Sequence, residues 1–100
     1  LGEIALHHVN DVGLSDAVVA QGLEIRYRQG GEEIKPLFQR HTKKLKKLLQ
    51  EEGVVPWMRE RLPLLYSGGK LVAVADQWIA DGASGEPGTI IEWHNHPALY

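Results

Sequence analysis

The segment LLYSGGKLVAV, Leu64 to Val74, constrains the chain most. Two apolar runs of strand length, Leu64 to Tyr66 and Leu71 to Ala75, flank Ser67-Gly68-Gly69-Lys70. A tight primed turn needs positive φ angles, which a Gly-Gly pair supplies without steric penalty, so the segment reads as an antiparallel hairpin. The QWIA run that follows is expected to extend the same sheet after a bend at Asp76. The chain around it is 100 residues long, 43% hydrophobic and 24% charged, the size and balance of one soluble globular domain spanning residues 1–100.

Further strands are readable on either side. EIALHHV, Glu3 to Val9, alternates loosely, and LEIRYR, Leu23 to Arg28, alternates cleanly, so the second predicts a half-buried strand. TIIEW, Thr89 to Trp93, reads as a last strand after the loop DGASGEPG. AVVA, Ala17 to Ala20, is too short for periodicity to choose between a strand and a helical turn. PWMRERLP predicts a single helical turn opened by Pro56 and closed off by Pro63, with Trp57 as a core anchor. With one real helix beside these strands, the reading is α+β.

That helix lies in RHTKKLKKLLQEEG. Leu45, Leu48 and Leu49 have the i, i+3, i+4 spacing of one apolar stripe, Thr42 is placed as an N-cap, and Gly53 as the residue after the C-cap. On this reading Lys43, Lys44, Lys46 and Lys47 crowd the first turn and a half, where the helix dipole is already positive. Each such cation costs about 0.3–1 kcal/mol at low salt, and the like-charged pair Lys43 and Lys47 adds a few tenths. Lys47 to Glu51 is the i, i+4 pair that would recover a little. The charges are unevenly spread: Glu24 to Arg61 hold ten Lys or Arg against six Glu, while both flanks are acidic and the whole chain is −2. Two explanations compete. The lysines form a solvated face, or they are the footprint of a polyanion, whose phosphates would offset the unfavourable charges by releasing counterions. A membrane surface fits less well, because the apolar stripe is narrow and needed by the core.

Other chemistry finds little support. Ser67-Gly68-Gly69-Lys70 lacks the frame of a phosphate-binding loop and joins two strands instead of opening a helix. His7 and His8 point to opposite faces of a strand, and His94 and His96 lack an obvious third ligand, so no metal site is expected. There is no cysteine, which excludes disulfides and thiolate sites and suits a reducing cytosol, and no apolar run approaches the ~18 residues of a membrane span. No catalytic constellation is present. Arg59 and Arg61 are read as either paired with Glu52 or Glu60, or as an extension of the basic surface. The first residue is Leu1, not Met, which suggests a piece of a longer protein.

The run KKLKKLLQEEGVVPWMRERLPLLYSGGKLVAVADQWIA resembles the C-terminal domain of bacterial tRNA(Ile)-lysidine synthetase. Lys44 to Lys47, Val55-Pro56-Trp57, Arg59 and Pro63-Leu64-Leu65 match its motif, and LEIRYRQGGE and TIIEW look like its flanking strands. Gln39-Arg40 stands where many relatives have Gly-Arg. The resemblance implies a small β-rich, sandwich-like domain with one main helix, akin to one in the β subunit of phenylalanyl-tRNA synthetase. It implies a cytoplasmic parent enzyme that uses ATP to ligate lysine onto the wobble cytidine of an isoleucine tRNA. The catalytic ATP site of that parent lies in an N-terminal domain absent here. This fragment would bind tRNA on its acceptor-stem side, with no cofactor of its own. The candidate RNA-binding residues are Arg40, Lys43, Lys44, Lys46, Lys47, Arg59 and Arg61. The alternative is a protein-interaction or interdomain docking module with a basic face.

Overall fold

A computed structural model describes residues 2–100. The hairpin forms as its turn chemistry dictates. Strands β6 (Leu64–Ser67) and β7 (Lys70–Val74) pair antiparallel, and Gly68 and Gly69 take φ of +56° and +79°. It is the centre of a four-stranded sheet in the order β3 (Glu24–Arg26), β6, β7, β8 (Trp78–Ile79). A second four-stranded sheet has the order β1 (Glu3–Val9), β10 (Gly88–His94), β2 (Gly13–Leu14), β9 (Ser84–Gly85). A third, two-stranded ribbon joins β4 (Glu33–Ile34) to β5 (Lys43–Lys44). The α+β expectation holds, and among the described residues no helix is long and apolar enough to cross a membrane.

The central hairpin is apolar on both faces because both are covered. Leu64 and Val74, opposite each other, join a cluster with Leu45, Leu48, Leu49, Val54, Met58 and Trp93. Leu65 and Ala73, the next pair along, point the other way and join Leu14, Val72, Ala83 and Ile91. Partly buried Val18 and Val19 close that second cluster. They lie on helix α1 (Asp16–Ala20), which resolves the ambiguous AVVA run as helical. Its cap is Ser15, whose Oγ accepts from the Val18 N–H at 3.2 Å.

Helix α2 (Leu45–Glu51) buries Leu45, Leu48 and Leu49, the predicted stripe. Gly53 ends it at φ +76°. The Gly53 and Val54 amides donate back to the Gln50 and Leu49 carbonyls, a Schellman closure. The start of the helix differs from the expectation. Lys43 and Lys44 are not helical but extended, paired with Ile34 and Glu33, so the cap position is Lys44 and Thr42 lies outside. The cause is non-local. Pairing with β4 satisfies the backbone at Lys43 and Lys44, and the Leu45 amide, which a cap would otherwise serve, donates to the Glu32 carbonyl at 2.9 Å.

Two other expectations are corrected. Trp57 is 66% exposed and anchors nothing in the core. Pro56–Met58 is a 3₁₀ turn, and its phase sends Met58 inward, fully buried, and Trp57 outward. The strand in LEIRYR is three residues long, and Ile25 and Tyr27 are half exposed rather than covered. It forms the edge of its sheet, its main contact being the pairing to β6.

Because the ribbon and not a hydroxyl holds the start of α2, Thr42→Ala is expected to change stability by less than about 0.5 kcal/mol, where a true cap would lose about 1. Leu48→Ala is expected to lose about 2–5 kcal/mol. Denaturant melts of the two variants check both values.

Candidate nucleic-acid interface

The ribbon and the helix it feeds position the lysines. Lys46 and Lys47 occupy the first turn of α2 on its solvent side, with Gln50 one turn further. Lys44, separated from them by buried Leu45, is exposed on the ribbon opposite Glu33. The first turn of the helix therefore holds Lys46 and Lys47, with Lys44 at the cap, still beside the positive end of the dipole. No acidic residue and no side-chain cap offset them there. Among the described residues, Lys44, Lys46 and Lys47 have no carboxylate within ion-pair distance, and the same is true of exposed Arg40.

Lys43 behaves differently. Its Nζ lies 3.2 Å from Glu51 Oε1, at the far end of the helix. This pair replaces the Lys47–Glu51 pair expected from helical spacing, because Lys43 left the helix. Lys43 thus has a carboxylate partner on the last turn of α2, on the solvent-exposed surface. Arg59 is also partly committed: its Nε donates to the Val54 carbonyl at 2.7 Å. That bond ties it to Val54, just past the C-terminal end of α2. Neither Arg59 nor Arg61 pairs with Glu52 or Glu60. The structure places Lys44, Lys46 and Lys47 at the start of α2, Arg40 in the connection leading to them, and Arg59 and Arg61 in and after the 3₁₀ turn that follows the helix.

The turn that launches the ribbon has its own anchor. Glu32 accepts from the Gln29 amide at 2.7 Å and the Gly30 amide at 3.1 Å. Partial burial pushes the Glu32 carboxyl up, but these amides outweigh it and hold the group below its ordinary value. Nearby, Arg26 lies 4.5 Å over the Tyr66 ring and 2.8 Å from Glu24, which bonds and charge hold below the ordinary carboxylate range. The histidines make separate pairs. His7 and His94 both reach Glu92 Oε1, at 2.8 and 3.0 Å, and His8 lies 3.7 Å from Asp16. The His96 ring stacks on Trp93 with centroids 3.8 Å apart. Among the described residues no three such side chains are grouped to hold a metal ion.

The family model described as the TilS substrate C-terminal domain matches residues 23–93. The chain belongs to that family. Its matched span contains the ribbon, α2, the 3₁₀ turn and the central hairpin, so every cation above lies in it. Among its relatives, the chain is 39% identical over 88 residues to the tRNA(Ile)-lysidine synthase of Coxiella burnetii, covering 86% of this chain and 20% of that protein. It is 36% identical over 97 residues to the synthase of Nitrosomonas europaea, covering 93% and 21%. A 59-residue stretch is 48% identical to the synthase of Legionella pneumophila strain Lens, covering 59% of this chain and 13% of that one. The chain thus spans about a fifth of the length of the first two relatives.

The depressed Glu32 carboxyl gives a pH prediction. A group whose folded value lies below its unfolded 4.5 stabilises above that pH and loses its contribution as pH falls through the folded value. Glu32→Gln is expected to lower stability by about 1 kcal/mol at pH 7 and to make the decline below pH 4.5 shallower. Melts from pH 7 down to 3 read both.

Proposed function

We propose that this chain is the tRNA-binding C-terminal domain of a tRNA(Ile)-lysidine synthase. The enzyme as a whole ligates lysine onto the wobble cytidine of an isoleucine tRNA with ATP, in the cytoplasm. ATP and lysine are used by a catalytic domain elsewhere in the same polypeptide. The domain's part is positioning: it holds the acceptor-stem side of the tRNA so that a remote active site meets the anticodon. The observation that carries this reading is the unpaired trio Lys44, Lys46 and Lys47, joined by Arg40, inside the span matched by the family.

The physical argument is one of compensation. Ammonium groups at a positive helix end, without carboxylates, have unfavourable electrostatics that phosphates reverse. A-form RNA hides its bases in a deep major groove, so flexible lysines suit it: they grip phosphates and 2′-hydroxyls and read shape. Arg40, Lys44, Lys46 and Lys47 are the contacts in this proposal. Arg61 and the free edge of Arg59 extend the surface towards the other end of the helix, and Lys43 contributes field but not a free hand.

With three to four phosphates engaged, log Kd against log salt is expected to have a slope of roughly 3 to 4 in magnitude for a duplex. Replacing Lys44, Lys46 and Lys47 together by Gln is expected to flatten it by about 2.5–3 and to weaken tRNA binding at least about tenfold at low salt. Lys43→Gln is expected to lower stability more than binding. Filter-binding titrations across a salt series test this. Unchanged binding by a folded triple variant would reject the proposal, and binding of an acidic partner domain instead would make the basic face a docking surface.

A further inference from the structure

Phe38 is the most exposed large hydrophobic side chain among the described residues. It is 87% exposed, and its backbone has φ of +68°. It stands third in the turn Pro36-Leu37-Phe38-Gln39, closed by the Gln39 amide donating to the Pro36 carbonyl at 3.0 Å. That position of such a turn favours glycine. The turn has little room to relax. The Leu37 amide donates to the Ile79 carbonyl at 2.8 Å, the Asp81 amide donates to the Lys35 carbonyl at 2.8 Å, and Pro36 bridges to Ala80. An aromatic ring is therefore held out in water on a strained backbone, with no burial in return. Such uncompensated strain in a well-pinned turn points to a ligand.

Beside the ring lies an open cleft of about 250 Å³, lined by Leu37, Phe38, Asp76, Gln77, Trp78 and Ile79. This is just below the ~300 Å³ at which drug-sized sites begin, the scale of one flat heterocycle. The polar edge is oriented in advance. Gln77 Nε2 donates to Asp76 Oδ1 at 2.8 Å, and Gln77 Oε1 accepts from the Tyr100 hydroxyl at 3.1 Å. Asp76, a carboxylate, offers only acceptors, so it calls for a ligand edge of N–H donors. Two residues after Phe38, exposed Arg40 stands without a carboxylate partner among the described residues.

We propose that the Phe38 turn and its cleft bind one unpaired nucleotide of the RNA. The base stacks on Phe38 and turns its amino or imino N–H groups to Asp76, and its phosphate meets Arg40. A base within a duplex has both faces stacked and its N–H edge paired, so only an unpaired one fits. An apolar protein surface fits less well, because covering the cleft would bury the Asp76 carboxylate without a partner. This inference rests on the RNA-binding reading and adds to it a site distinct from the lysine trio.

The test uses this chain and two labelled RNA hairpins, one blunt and one with a short single-stranded 3′ tail, titrated by fluorescence anisotropy. The tailed hairpin is expected to bind about 5- to 150-fold tighter, the worth of one stacked base. Phe38→Gly is expected to erase that ratio and leave the blunt hairpin's Kd unchanged, while Phe38→Tyr keeps the ratio. Phe38→Gly also relaxes the backbone, so its thermal midpoint is expected to rise by a few degrees, where loss of a packing residue would lower it. The Lys44, Lys46 and Lys47 triple variant is expected to weaken both hairpins equally and preserve the ratio. A wild-type ratio of one, or a ratio that survives Phe38→Gly, overturns the nucleotide site while leaving the lysine grip standing. No binding of either hairpin by the wild type overturns both. Weaker association of Phe38→Gly with the remainder of a synthase, with the RNA ratio intact, assigns the ring to a protein contact and overturns the site as proposed.

Discussion

Burial of Leu45, Leu48 and Leu49 against the central hairpin is the interaction on which the rest depends. A seven-residue helix is too short to persist alone in water, and this one has no side-chain cap and two lysines at its positive end. Each fully buried leucine contributes about 1.5–3 kcal/mol, against about 0.3–1 kcal/mol lost per misplaced lysine. Burial wins by a wide margin, so the fold can hold an electrostatic arrangement that local energetics would not choose. The hairpin is the other half of that contact. Its turn forms from local chemistry, and covering both of its faces ties the two clusters into one domain.

The same packing sorts the cations by role. Lys43 faces the same side of the ribbon as buried Ile34 and reaches Glu51, so it fastens the ribbon to the helix. Arg59 fastens the 3₁₀ turn to the carbonyl of Val54. Lys44, Lys46 and Lys47 fasten nothing, and Arg40 pairs with no carboxylate among the described residues. A run that looks uniform as KKLKK is thus divided by register alone: one pairing of two residues with β4 turns a block of like charges into one structural lysine and three displayed ones.

What could be read in advance was whatever local chemistry decides. The Gly-Gly hairpin, the stop at Gly53, the turn opened by Pro56 and the leucine stripe all rest on neighbours within a few residues, and all are present. The helix start was not legible, because Lys43 and Lys44 have helical propensity but are recruited by Ile34 and Glu33, nine and eleven residues upstream. Trp57 faces outward because nothing local fixes the phase of a three-residue turn, and Met58 takes the inward position. Ile25 and Tyr27 alternate as a half-buried strand should, but coverage of that face is a tertiary matter, and the strand lies at an edge. One signal was available and missed: Ser15 followed by Asp16 is the signature of a capped helix start, and it would have decided the AVVA run. Phe38 carries no such mark, since its turn lacks the glycine that would announce its conformation.

On the proposed reading, a leucine-anchored helix and its ribbon present Lys44, Lys46 and Lys47, which have no carboxylate partner, to an RNA backbone. Lysine acylation footprinting of this chain with and without tRNA, read residue by residue by mass spectrometry, tests it most directly. Strong protection of Lys44, Lys46 and Lys47 is expected, with Lys35 and Lys70 reacting as before. Protection spread evenly over all lysines, or confined to Lys35 and Lys70, would contradict it.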